Sequence, residues 1–102
     1  MEEVKIIGYQ DGVLCIALSG DIDLGNAEGF YQEVMAAYQQ TKGNIRFDCK
    51  ELAFIDSTTL GTFVKILKAV KSDGFEMSLV GLQPKIKKLF VICSLDTIMR
   101  VE

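Results

Sequence analysis

The sequence predicts an α/β fold in which a mixed β-sheet is opened by an N-terminal hairpin and covered by three to four helices. Two strand-like runs joined by a tight turn signal come first, and in the second half strand-like runs alternate with helical ones. Such alternation implies parallel strands joined by right-handed crossovers. Hydrophobic residues make up 49% and charged residues 25% of the 102 residues, a composition typical of a domain with one core. We therefore expect residues 1–102 to form a single domain.

The first two strands are predicted at Val4 to Tyr9 and at Val13 to Ser19, which are apolar and rich in β-branched residues. Gln10-Asp11-Gly12 separates them, and the Asp-Gly pair is a strong hairpin signal. The two strands should therefore pair antiparallel.

Apolar residues at positions 27, 30, 31, 34, 37 and 38 predict the first helix. We expect Asp23 or Asn26 to cap its N-terminus and Lys42-Gly43 to end it. The short run Ile45 to Cys49 then predicts a strand.

Apolar residues at positions 60, 63, 64, 67 and 70 predict a second helix that ends near Asp73-Gly74. The opposite side of this helix carries Lys65, Lys68 and Lys71. The small polar residues Asp56-Ser57-Thr58-Thr59 before it are ordinary N-cap residues. A phosphate on Ser57 would be tolerated there, because the first N–H groups of a helix lack partners and its dipole favours negative charge.

The remaining elements follow from the last third of the chain. Phe75 to Val80 reads as a strand, and Pro84 is expected to open a helix, since its missing N–H would be unpaired at the first helical position. Ile98 to Val101 is predicted as a final edge strand. The apolar stripe of the last helix comprises Ile86, Leu89, Phe90 and Cys93, and its solvated face Lys85, Lys87 and Lys88.

Four stretches of the chain resemble the STAS domain family, and within it the anti-sigma factor antagonists of bacteria. The family signature Asp-Ser-Ser/Thr-Gly-Leu-Gly is matched by Asp56, Ser57, Leu60 and Gly61, with Thr59 in place of the usual glycine. A β-branched residue there predicts ordinary φ, with the methyl and hydroxyl at the surface.

The other three stretches keep the family's order, and the resemblance runs from Val4 to Val101. Ser19-Gly20-Asp21-Ile22-Asp23 followed by Ala27 resembles the Gly-Glu-Leu-Asp segment before the first helix. Gly81 to Leu89 resembles the closing helix, and Ser94-Leu95-Asp96 resembles a Gly-Leu-Asp turn, with Ser94 where glycine is common.

The resemblance implies a mechanism of partner switching. The unphosphorylated antagonist binds an anti-sigma factor that is a serine kinase and thereby frees a sigma factor; phosphorylation of Ser57 reverses this, and a phosphatase resets the state. The partner-binding residues implied are Asp21, Asp23, Asp56, Ser57, Thr58, Thr59 and Leu60.

The resemblance also implies how the site is assembled. A loop at Leu52 to Ile55 should lead into the second helix, and Gly20 to Asp23 should lie beside Asp56 to Leu60. Asp23, Asp56 and Ser57 would then form one polar cluster.

The residue types exclude several functions. The chain has no histidine, which excludes Ser-His-Asp and Cys-His catalysis, and it has no glycine-rich phosphate loop. We expect no catalytic residue, no cofactor and no metal site, and hence a protein that is not an enzyme. Cys15, Cys49 and Cys93 are widely spaced, which argues against a disulfide framework or a zinc site. Each lies within or beside an apolar segment, which predicts small buried thiols in a reducing compartment.

Charge and hydropathy bear on partners and location. A net charge of −3 argues against nucleic-acid binding. No apolar run approaches the length of a bilayer span, so the sequence predicts a cytoplasmic protein without membrane contact. We expect a monomer or weak dimer.

Three alternatives stay open at this point. A STAS domain could serve as a scaffold, a nucleotide-sensing module or part of a lipid transport system. A receiver domain phosphorylated on aspartate would have to use Asp48, with Lys85 as its lysine. A small hydrolase would have to use Asp23 and Asp56 as a carboxylate pair.

Overall fold

The computed structural model describes residues 1–102, and its five strands form one mixed sheet. The strands are β1 (Val4–Gln10), β2 (Val13–Ile22), β3 (Asn44–Ile55), β4 (Met77–Val80) and β5 (Arg100–Val101). They lie in the order β1-β2-β3-β4-β5. β1 pairs antiparallel with β2, and the other neighbours are parallel. The predicted fold class is confirmed.

Three α-helices connect the parallel strands. They are α1 (Ala27–Gln40), α2 (Ser57–Ser72) and α3 (Pro84–Ile92), and a 3₁₀ turn at Leu95–Thr97 follows α3. Pro84 occupies the first turn of α3, as predicted. None of the helices combines the length and the apolar character that crossing a membrane would require.

The hairpin is confirmed in detail. Asp11 has a φ of 55° and Gly12 a φ of 79°, and positive φ at both central residues is the requirement of a tight hairpin turn. β2 continues three residues beyond Ser19, to Ile22.

Strand β3 is much longer than predicted, and the expected loop at Leu52 to Ile55 is wrong. Two bulges explain the difference, because β3 has one extra residue relative to β2 after Asp48 and another after Leu52. Buried residues therefore alternate regularly only as far as Cys49. The strand then runs on to Ile55 and delivers the chain directly to α2.

The core lies on one face of the sheet, under the three helices. Four fully buried phenylalanines meet there, one from each helix and one from β3: Phe30, Phe47, Phe63 and Phe90. Their ring centroids lie 5.1 to 6.0 Å apart and three of the four pairs are edge-on, the arrangement that aromatic pairs prefer. The opposite face carries no helix.

Several smaller expectations were wrong. Leu89 and Cys93 are exposed, since α3 is short and buries only Ile86 and Phe90 against the core. Cys15 is half-buried on the uncovered sheet face, so only Cys49 is a buried thiol. In α2 the buried side also includes residues 59, 62 and 66, while residues 60 and 64 are half-buried.

Candidate functional site

The N-terminus of α2 is held by the side chain of Asp56, its N-cap residue. One carboxylate oxygen, Oδ1, accepts a hydrogen bond from the Thr59 N–H at 3.0 Å, and Oδ2 accepts one from the Leu24 N–H at 2.9 Å. The first of these bonds, helped by the second, lowers the pKa of the Asp56 carboxyl below its ordinary value. Asp56 therefore both starts the helix and ties it to the β2–α1 loop.

Thr59 forms a second tie between these segments. Its side chain is fully buried, and its hydroxyl donates to the Ile22 carbonyl at 2.5 Å and lies 3.0 Å from Asp56 Oδ1. The predicted ordinary φ is confirmed, because the non-glycine residues with positive φ are Asp11 and Ser94. The predicted surface position is wrong: the hydroxyl satisfies a strand carbonyl inside the protein, so Thr59 has no exposed atoms to offer a partner.

The β2–α1 loop is organised by its own polar side chains. The Asp23 carboxylate accepts from the Gly25 N–H at 2.9 Å, and the Asp23 N–H donates to Asn26 Oδ1 at 2.8 Å. The Asn26 amide donates to the Asp21 carbonyl at 2.9 Å. Asn26 is the N-cap residue of α1, but its side chain does not cap the helix. Asn26 is thus confirmed as the N-cap residue, but neither Asp23 nor Asn26 caps the helix through its side chain, because both side chains are used within the loop.

The predicted neighbourhood of the two segments is confirmed by the bonds from Leu24 to Asp56 and from Thr59 to Ile22. The single polar cluster is not formed as expected. The carboxylate of Asp23 turns into its own loop, Asp21 is exposed, and Leu60 is half-buried.

Ser57 and Thr58 are the exposed hydroxyl residues of the first turn of α2. The Ser57 hydroxyl makes no hydrogen bond within the chain. Their backbone N–H groups belong to the first helical turn, where no intrahelical carbonyl is available. Of the three neighbouring hydroxyls, only that of Thr59 is withdrawn from solvent.

Two exposed apolar residues beside this turn escaped the sequence reasoning. Leu24 is 75% exposed in the β2–α1 loop, and Phe54 is 48% exposed at the end of β3. An open cavity of about 340 Å³ lies between the first turns of α1 and α2 and is lined in part by Leu24, Thr58 and Gly61. The sequence contained one signal for this exposed apolar surface, a leucine inside the otherwise polar run from Asp23 to Asn26.

The geometry disfavours two of the alternative chemistries. Asp48 lies within β3, seven residues before its end, and pairs with Lys50 at 3.7 Å, whereas a receiver domain needs its acceptor at a strand end. The carboxylates of Asp23 and Asp56 are occupied by backbone N–H groups, so they do not form the pair that a hydrolase would use.

Residues 6–102 match the sequence model of the STAS domain. Since this match covers nearly all of the chain, the chain belongs to the STAS domain family, and the resemblance seen in the sequence is confirmed.

Two of the proteins to which this chain is similar are named as anti-sigma factor antagonists. An anti-sigma-B factor antagonist of Listeria monocytogenes is 33% identical over 88 residues, which are 85% of this chain and 76% of that protein. A crystal structure from Thermotoga maritima, provisionally assigned as an anti-sigma factor antagonist, has a TM-score of 0.85 and 26% identity, and covers 96% of this chain and 82% of its own. The phosphorylated form of the Bacillus cell fate determinant SpoIIAA, at 19% identity and a TM-score of 0.75, covers 97% of this chain and 90% of its own. This last likeness concerns the fold alone.

Proposed function

We propose that this chain, since it belongs to the STAS domain family, is a bacterial anti-sigma factor antagonist that works by partner switching. In its unphosphorylated form it binds an anti-sigma factor with serine kinase activity and releases the sigma factor. Phosphorylation of Ser57 reverses this binding, and a phosphatase resets the state. The kinase contributes the catalytic groups and the nucleotide, so this cytoplasmic chain acts as binder and substrate and not as an enzyme.

The observation that carries the proposal is the position of Ser57. Its hydroxyl is exposed and free of hydrogen bonds, while Asp56 before it and Thr59 after it are fixed to the β2–α1 loop. A kinase therefore meets an accessible acceptor on a backbone that is already ordered. Thr59 cannot accept phosphate in the folded chain, because its hydroxyl is buried.

The apolar residues beside Ser57 supply the binding energy that we propose for the kinase complex. Leu24, whose N–H is bonded to Asp56, and Phe54, three residues before Ser57 in the chain, have exposed side chains, and burial of apolar surface on binding contributes favourable free energy. The open cavity between α1 and α2 offers room for a side chain of the partner. Asp21, Asp23 and Thr58 would form the polar rim of the same interface.

A phosphate on Ser57 would act mainly through its charge. The N-terminus of α2 tolerates it, because the helix dipole and the free N–H groups offset part of about two negative charges. The one lysine that lines the cavity between α1 and α2, Lys65, lies over the ring of Tyr31, with Nζ 4.2 Å from the ring centroid. The dianion would therefore reach the partner surface poorly paired, and desolvating such a charge typically costs several kcal/mol.

The proposal is tested by incubating the chain with a candidate serine kinase from its host and ATP, followed by mapping of the phosphate on peptides. We expect a single acid-stable phosphate on Ser57. Ser57→Ala should abolish labelling, whereas Thr58→Ala, which removes the adjacent exposed hydroxyl, should still carry its phosphate on Ser57. Labelling of Thr58, or full labelling of Ser57→Ala, would refute the assignment of the acceptor.

A further inference from the structure

A second cavity lies at the opposite end of the sheet from Ser57. It has a volume of about 300 Å³ and opens where β3, β4 and β5 begin. Its lining includes Arg46 from β3, Arg100 from β5 and Lys71 from the last turn of α2. The β2 partners of Arg46 and Ile55 are Cys15 and Ile22, which are seven residues apart, or about 23 Å at the usual rise of a strand. This cavity is thus distinct from the site at Ser57.

The two arginines of this cavity are the only arginines of the chain. The sheet register aligns Arg46 with Ser78, and Ser78 with Arg100, across β3, β4 and β5. Aligned residues of neighbouring strands project from the same face, so the two arginines flank the small serine at a Cα separation of about 10 Å. Arg46, Arg100 and Lys71 have no carboxylate within 4.0 Å, and the Ser78 hydroxyl has no hydrogen-bond partner. These four donors are therefore available to a ligand.

Two carboxylates limit what can bind. Glu76 lines the cavity itself, and Asp48 lies two residues after Arg46 on the same face but is paired with Lys50. Three cationic side chains against the single acidic side chain of the lining still favour an anion, although the chain as a whole carries a net charge of −3.

We propose that this cavity binds a small phosphate monoester. A phosphate presents three terminal oxygens in different directions, which suits donors from two strands, β3 and β5, with Lys71 of α2 adding positive charge to the lining, whereas a planar carboxylate presents two oxygens. The lining also includes the apolar side chains of Val13, which is half-buried, and Ile98, which is exposed. These residues would contact the organic part of the ligand, and a volume of about 300 Å³ lies at the small end of the range for ligand pockets.

The test is a titration of the full chain with phenyl phosphate, followed through backbone amide shifts by NMR. Inorganic phosphate, benzoate and phenol serve as parallel probes, and Arg46→Gln/Arg100→Gln as the variant. Lys68→Gln is the matched control, because Lys68 is an exposed cation of α2 that does not line the cavity. We expect saturable shifts at Ser78 and its neighbours, weakened about tenfold or more in the double variant and unchanged in the control. Inorganic phosphate and benzoate should bind more weakly, and phenol should not bind.

Other outcomes would overturn the proposal. These are the absence of saturable shifts, equal binding by the double variant, binding of benzoate or phenol as tight as that of phenyl phosphate, or shifts confined to the first turn of α2. Arg46 and Arg100 are exposed, so the double variant should fold. If the NMR spectrum shows that the double variant is not folded, the single variant Arg100→Gln, on the edge strand, takes its place. It must then weaken the binding of phenyl phosphate by itself.

Discussion

Thr59 connects α2 to the sheet through a single buried hydroxyl. That hydroxyl donates to the carbonyl of Ile22, the last residue of β2, and touches the carboxylate that caps α2. A glycine at this position, as in the family signature, could not make the bond. In this chain the side chain of Thr59 therefore has a structural role.

Replacing Thr59 with valine should lower the free energy of unfolding by about 1–2 kcal/mol, because the shape is kept while the Ile22 carbonyl loses its donor. Urea unfolding measures this. Thr58→Val, one residue earlier and exposed, should change stability by less than about 0.5 kcal/mol. Equal stability of Thr59→Val and wild type would show that the buried bond contributes nothing.

Ser94 is strained in a way that glycine would relieve. It follows the C-cap residue of α3 and has a φ of 60°, a region that costs an L-residue roughly 1–2 kcal/mol. Ser94→Gly should therefore raise the free energy of unfolding by about 0.5–1 kcal/mol, after allowance for the greater entropy of glycine in the unfolded chain.

The matched control for Ser94→Gly is Ser72→Gly, at the last residue of α2. Glycine within a helix is unfavourable, so this variant should be destabilised by up to about 1 kcal/mol. Thermal unfolding of both variants should show shifts of opposite sign. Destabilisation of Ser94→Gly would contradict the argument.

At the scale of the element, α2 is anchored by a charged N-cap. The folded state lowers the pKa of Asp56, chiefly through the Thr59 N–H. A lowered pKa stabilises the fold when the pH is above the unfolded value of 3.8, and this stabilisation is lost as the pH falls through the still lower folded pKa.

Asp56→Asn removes the charge and keeps one acceptor oxygen. Because both carboxylate oxygens accept backbone bonds in the wild type, the variant also loses one of these bonds, so only the pH-dependent part of its effect reports on the charge. At about pH 7 the variant should be less stable than the wild type in urea, and the difference should shrink as the pH falls below 3.8. The carboxyl of Asp73, whose pKa is also lowered, by its hydrogen bond with Tyr38, is present in both proteins and cancels. A difference that is independent of pH would mean that the charge plays no part.

Strands and helices differ in how far the sequence could predict them. The helical period of α1 and α2 depends on local residues, so the ends of both helices could be predicted closely. The Asp-Gly turn is equally local and could be predicted as well. The two bulges of β3 depend on its pairing with β2. They break the alternation after Cys49, so the second half of the strand has no periodic signal of its own.

The candidate functional site could likewise be predicted only where it depends on local residues. The position of Ser57 at a helix N-terminus could be predicted from local residue types. The burial of Thr59 could not, because it depends on a carbonyl 37 residues away in β2. The exposure of the Leu24 side chain could not be predicted either, because it depends on the hydrogen bond that ties the β2–α1 loop to Asp56.

For the whole molecule, the proposed switch requires that charge at Ser57 changes binding and leaves the fold intact. Ser57→Asp should keep the circular dichroism and melting temperature of the wild type, since an acidic residue in the first turn suits the helix dipole. It should bind the partner kinase about tenfold more weakly or worse. Ser72→Asp makes the same exposed substitution at the other end of α2 and should bind like the wild type. Loss of structure in Ser57→Asp would contradict the claim that the charge acts only at the interface.

The most direct test of the proposed switch compares the unphosphorylated chain with the chain phosphorylated on Ser57, by calorimetric titration into the proposed anti-sigma factor kinase. Even about 3 kcal/mol of uncompensated desolvation corresponds to more than a hundredfold loss of affinity. We expect a loss of at least that size, with superimposable circular dichroism spectra of the two forms. Equal affinity of the two forms would contradict the proposed switch.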